Sequence, residues 1–159
     1  MPTFDQHLNQ ANKNIKHLEL INKLDSNCVD WQITVCFYTG LHIVNCHLCS
    51  FGIEYNTHTN TLNAINFANP TSLTKVSEDC YTSYRALQNL SRKSRYLIDP
   101  SSGSFGLVYS KHLAKAMRHL EVVIKYFSTL YSEKIKVEKI KVKCDELNSQ
   151  ELDYFMKIK

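Results

Sequence analysis

The chain has 159 residues, 43% of them hydrophobic, with only 4 Gly and 3 Pro. That length fits one domain able to bury a core without disulfides or metals, and so few turn-formers argue against an all-β fold, which needs many turns. The formal net charge of +4 is too mild to imply nucleic acid by itself, yet residues 85–118 carry seven cations (Arg85, Arg92, Lys93, Arg95, Lys111, Lys115, Arg118) against the single acid Asp99, a local excess of +6.

The first predicted helix covers residues 4–24. Thr3 and Gln6 have the spacing of a capping box, and Phe4, Leu8, Ala11, Ile15 and Leu18 form one apolar stripe at helical period. Asp25-Ser26-Asn27 ends it. A second helix covers 28–51, with two apolar faces: Trp31, Val35, Tyr38, His42, Cys46 and Cys49 on one, Ile33, Phe37, Leu41, Val44, Leu48 and Phe51 on the other. A helix apolar on two sides is the central one of a bundle. Gly40 lies at the edge of the second face, where a missing side chain permits close approach of another helix. Residues 52–61 read as a loop, followed by a short helix over 61–68 that ends before Asn69-Pro70.

The third long helix covers 76–98, with Cys80, Tyr84, Leu87, Leu90, Ser94 and Leu97 toward the core. Asp99-Pro100-Ser101-Ser102-Gly103-Ser104 is a loop by composition. The fourth covers 111–131, with Ser110 as its cap; Leu113, Ala116, Met117, Leu120, Val123, Ile124 and Phe127 face inward, and Lys111, Lys115, Arg118 and Lys125 outward. Residues 132–159 change character. Ile135-Lys136-Val137 and Ile140-Lys141-Val142-Lys143 alternate like short strands, Glu138-Lys139 interrupts the register, and Leu152, Phe155 and Met156 suggest a last short helix. The expected architecture is all-α: an up-and-down bundle of four to five helices over residues 1–131, and a C-terminal extension, 132–159, that is irregular or partly β.

The first ten residues are polar, without an apolar run of the secretory type. The apolar-rich stretch 31–51 is broken by Gln32, Thr34, His42, Asn45 and His47, a poor membrane span. Of six cysteines, Cys36, Cys46, Cys49 and Cys80 fall in helical apolar patterns, where a free thiol behaves as a small hydrophobe. The expectation is a cytoplasmic protein with reduced thiols, no cofactor and no membrane partner.

Asp30-Trp31-Gln32-Ile33-Thr34-Val35-Cys36-Phe37-Tyr38-Thr39-Gly40-Leu41-His42 resembles the start of the central helix of HEPN-domain proteins, the higher eukaryotes and prokaryotes nucleotide-binding family. Tyr84-Arg85-Ala86-Leu87 followed by Ser91-Arg92-Lys93-Ser94-Arg95-Tyr96 resembles that family's third helix, and residues 111–127 its closing amphipathic helix. The similarity spans 28–131. It implies a four- or five-helix bundle, often a homodimer, that cleaves RNA, partners a nucleotidyltransferase, or binds nucleotide or nucleic acid without catalysis. The family's ribonuclease signature, an Arg followed after four to six residues by a His, is missing: Arg118 and His119 are adjacent, so their side chains diverge by about 100° on a helix.

Four constellations remain. Tyr81, Arg85, Gln88, Arg92, Arg95 and Tyr96 share about one third of a helix circumference. Guanidinium groups hold phosphate and tyrosines stack on bases, so this face suits RNA or a nucleotide; a plain solvated face has the same pattern. His42 and His58 could act as acid and base on a phosphodiester near an arginine, or be a core and a loop histidine respectively. Cys46-His47-Leu48-Cys49 with His42 offers three convergent metal ligands, but apolar packing fits better, because structural zinc sites take C-x-x-C from turns. Gly103-Ser104-Phe105-Gly106 lacks the P-loop lysine and spacing. No catalytic motif is complete. The sequence favours a non-catalytic HEPN-like binder of nucleic acid or nucleotide, with a rearranged ribonuclease centre (His58 or His42 with Arg95) as the alternative. A helical interaction module is another, presenting Tyr126, Tyr131 and the 135–142 segment as apolar surface.

Overall fold

Local side-chain caps set where the first and third helices begin. A computed structural model of the chain describes residues 2–24, 28–96, 110–132 and 134–158. The Thr3 amide donates to Gln6 Oε1 (2.8 Å) and the Gln6 amide to Thr3 Oγ1 (3.2 Å), the reciprocal capping box, and α1 runs Phe4–Leu24. Helix α2 spans Val29–Ser50. Thr57, in extended conformation, accepts from the Asn60 amide and starts α3, His58–Ala64. This corrects the expected 61–68: the hydroxyl cap recruits His58-Thr59-Asn60 into the helix, which then stops before Asn66 and Asn69 form side-chain turns with Ala68 and Thr71. Helices α4 (Glu78–Tyr96) and α5 (Ser110–Leu130) complete the bundle. The loop expected at 99–104 lies outside the described residues.

Contacts fix the helix directions. Asn22 bonds Gln32 near one end of the α1–α2 pair and Cys46 Sγ donates to the Phe4 carbonyl near the other, so the two run antiparallel. Ser94 meets Thr34 (3.5 Å) while Tyr84 packs on Phe37, so α4 also opposes α2. His119 meets Ser83 and Tyr126 lies at the Ser77 backbone, so α5 opposes α4. The result is an all-α up-and-down bundle with α2 against α1, α4 and α5. Gly40 permits this: a β-carbon there would stand 3.3 Å from Leu87 Cδ1 and 3.6 Å from Leu120 Cδ1, so α4 and α5 both crowd it.

The inward stripes are largely as expected. Ala11, Ile15, Leu18, Ile33, Phe37, Val44, Tyr84, Leu87, Leu120, Ile124 and Phe127 are fully buried. The expected Trp31 face is a core face only in part, at Cys46, which is fully buried. Trp31 is 59% exposed and Val35, Tyr38 and His42 are only half-buried, because α1 lies one residue-step further round, on Gln32 and Cys46. Phe51, past the end of α2, is also exposed.

The C-terminal segment contains β1 (Ile140–Val142) and β2 (Phe155–Lys157), paired in parallel. The short helix expected around Leu152, Phe155 and Met156 is therefore this second strand; Phe155 is buried and Met156 exposed, a two-residue alternation. Polar side chains of α1 supply what a neighbouring strand would. Asn12 bonds both the Lys136 carbonyl and the Glu138 amide, Glu19 accepts from the Lys141 amide, and Asn22 bonds both backbone groups of Lys143. Ile135, Val137, Ile140 and Val142 are buried in the same hydrophobic cluster as the helices, so they are not the exposed docking surface expected of the 135–142 segment. Tyr126 and Tyr131 are half-buried against that cluster.

Candidate functional site

The basic face of α4 is built as its period dictates. Cys80, Tyr84, Leu87, Ser91 and Ser94 are buried, which rotates Arg85, Arg92 and Arg95 outward, and all three are exposed. Two lines run along this face. Arg85 and Arg92 lie seven residues apart on the outer one. Tyr81, Gln88 and Arg95 lie on the inner one, beside the excursion through α3. Tyr81 is half-buried there, edge-on to Phe67 with ring centroids 5.5 Å apart, so part of its ring is already used in packing. The Arg95 Nε donates to the Ser91 carbonyl (3.3 Å). Tyr96 is the last residue of α4, and its side chain lies outside the described residues.

Cations elsewhere in the basic segment are treated differently. Arg118 forms a two-pronged ion pair with Glu151, and its guanidinium also donates to the Glu146 carbonyl. That pairing holds the Glu151 carboxyl down to about 2. Among the described residues Arg85 and Arg92 make no ion pair. The charge excess is therefore partly absorbed at the tail, while Arg85 and Arg92 of α4 keep their charge outward.

Arg95 lies near enough to His58 to act on it electrostatically, and His42 is elsewhere. His58, the first residue of α3, sits edge-on to Phe37 (5.2 Å between centroids) and 6.5 Å from the Tyr38 ring. Burial, and next the positive charge of Arg95, lower its pKa below that of free histidine. A neutral imidazole beside a guanidinium can accept a proton near neutral pH. His42 instead faces α1, its Nδ1 3.0 Å from His7 Nδ1. Burial and then the neighbouring His7 push it down to about 4. His7 is itself lowered by burial, with the Glu54 charge opposing. Such a contact needs one ring to donate and the other to accept, so the pair is held with both rings neutral or with one proton added.

His42, Cys46 and Cys49 do not converge. Cys46 Sγ donates to the Phe4 carbonyl and Cys49 Sγ to the Pro2 carbonyl (3.0 Å). Burial raises both thiols, Cys46 to about 12, away from the thiolate a metal needs. Among the described residues no group of three or more His, Cys, Asp or Glu side chains is arranged to hold a metal.

Sequence reasoning gave His7 no role, and named His47 and His119 only in motifs that it set aside. His7 falls on the stripe between Phe4 and Ala11, which was the available signal. His47 is buried, with Nδ1 2.8 Å from the Tyr131 hydroxyl and Nε2 3.0 Å from the Thr74 carbonyl, a structural tie between α2, α5 and the chain before α4. An open cavity of about 370 Å³ lies at 53–74, lined by Asn60, Asn63, Asn69, Thr71 and Ser72 among others; the Asn69 amide is occupied with the Asn63 carbonyl and with Thr71. Among the described residues no helix is long and apolar enough to cross a membrane. No family model, curated protein or solved structure matches this chain.

Proposed function

We propose that the chain is a divergent HEPN-like helical module that binds RNA or a nucleotide through its phosphates, without a complete catalytic centre. The observation that carries the reading is the outward face of α4: Arg85, Arg92 and Arg95 are exposed together, while Arg118 is neutralised by the tail. Guanidinium groups hold phosphate oxygens through paired donors, and an exposed cluster of cations attracts polyanions.

The test is a salt titration of binding to a labelled single-stranded RNA, read by fluorescence anisotropy. Three phosphate contacts predict that log affinity falls with log salt at a slope of about −2, since each single-strand contact contributes about −0.7. Replacing Arg92 and Arg95 with Ala removes two contacts and flattens the slope to about −0.7. Binding that is absent at low salt, or indifferent to both arginines, refutes the reading.

A ribonuclease-type centre is the second reading, and the proximity of His58 to Arg95 favours it. The imidazole would take the proton of the 2′-hydroxyl as its oxygen bonds to phosphorus and the bond to the 5′-oxygen breaks, the leaving oxygen taking a proton from water, while the guanidinium steadied the phosphate. Cleavage of an RNA pool that disappears in His58→Ala and persists in His42→Ala supports it; cleavage that survives both substitutions removes His58 from the chemistry.

A further inference from the structure

Trp31 is the chain's single tryptophan, and the fold turns it outward. Its neighbours Gln32, Ile33 and Thr34 are all buried. The Asn22–Gln32 hydrogen bond (2.8 Å) ties one side of the helix to α1, and the Thr34–Ser94 contact ties the other to α4. With both flanks fixed, α2 cannot rotate to bring the indole inside. A large apolar ring held 59% exposed in this way forgoes the burial that usually stabilises tryptophan.

Cations of α4 stand near this ring across the α2–α4 contact, while the acid Asp30 precedes it in the first turn of α2. Val35 and Tyr38 continue the Trp31 line along α2, at four and seven residues, both half-buried. Tyr38 lies against His58, and His58 senses the charge of Arg95. Ser94, in contact with Thr34, is the residue before Arg95 and two after Arg92. The last turn of α4, with its arginines, therefore stands beside the first turns of α2, with the exposed Trp31 and the half-buried Tyr38. Seven residues of helix separate Trp31 from Tyr38 by about 10 Å.

We infer that Trp31 is a base-stacking platform and that the ligand is single-stranded nucleic acid, a deepening that rests on the phosphate-binding reading above. Indole offers a flat face to any base, and only unpaired strands have base faces to offer; in a duplex they are covered by neighbouring pairs. A free mononucleotide engages one ring at most. A strand lets its backbone follow Arg92 and Arg95 while its bases lie on Trp31 and reach toward Tyr38.

Because the chain has one tryptophan, its emission reports this position alone. The probe is a uridine homopolymer of about a dozen nucleotides, within the usual site size for such grooves. Expected results are quenching of Trp31 emission on binding, protection from iodide, and a loss of affinity of about tenfold in Trp31→Ala that Trp31→Phe partly recovers. The salt slope should stay as in the wild type, since no phosphate contact is removed. An RNA hairpin with a minimal loop should bind more weakly and gain nothing from Trp31. If the homopolymer binds with the arginine-dependent salt slope while emission and Trp31→Ala affinity stay unchanged, the stacking inference fails and the phosphate reading stands. Absence of any salt-sensitive binding takes both down. A blue shift of Trp31 emission with rising protein concentration alone would assign this face to a second copy of the chain and overturn the inference.

Discussion

Acidification should weaken this fold through the His7–His42 pair, and the size of the effect can be worked out from the structure. The two Nδ1 atoms are 3.0 Å apart, and His42 is pushed to about 4, first by burial and then by His7. In the unfolded chain it titrates at about 6.5. The folded pKa is the lower one, so the unfolded state binds the proton first as pH falls. The stabilisation is whole above the unfolded value and drains away as pH drops from about 6.5 through the folded value. At pH 5 the full shift corresponds to about 2 kcal/mol of lost stability relative to pH 7.5. His42 is only half-buried, so solvent screening reduces this to about 1 kcal/mol. Burial also lowers His47, His58 and His119, which makes the wild-type dependence steeper. A comparison with His42→Gln isolates the pair. Urea denaturation followed by circular dichroism at pH 7.5 and pH 5 should show the variant gaining about 1 kcal/mol on the wild type between the two conditions. If the gap between the two proteins is the same at both pH values, the pair does not titrate as argued.

Two substitutions probe the packing. Asn22→Ala removes the hydrogen bonds that the buried Asn22 side chain makes to Gln32 and to both backbone groups of Lys143, and should destabilise by about 2–4 kcal/mol, read as a lower urea midpoint; a loss under about 0.5 kcal/mol would mean that α1 does not hold the tail. Gly40→Leu drives a side chain into the space 3.3 Å from Leu87 and should cost about 1–3 kcal/mol or more in the same assay. Unchanged stability in that variant would contradict the close approach of α2, α4 and α5.

How much of this was legible beforehand follows from which forces are local. The capping box of Thr3 and Gln6, the span of α1, the inward stripe of α5 and the close approach at Gly40 depend on spacing within one helix, and the sequence displays that spacing directly. The outward set of α4 arginines follows from the same period once Tyr84 and Leu87 face inward. Periodicity gives angles around one axis but says nothing of which neighbour occupies each angle. Trp31 and Cys46 fall on one apolar side of a helical wheel, about 60° apart; the position of α1 buries Cys46 and leaves the indole in solvent.

The tail shows the same division. Its alternation at 135–137 and 140–143 was readable, whereas the strand at Phe155–Lys157 exists because β1 offers it a parallel edge, and β1 itself is held by Asn12, Glu19 and Asn22 of α1, more than a hundred residues earlier. The pairing of His7 with His42, and of His58 with Arg95, is likewise long-range. The sequence by itself determined the helices and the faces they turn inward, because backbone period and side-chain polarity act within a few residues. Tertiary structure alone decided which histidine meets an arginine, which aromatic ring stays in water and which charges are cancelled, because those depend on where separate elements come to rest against one another.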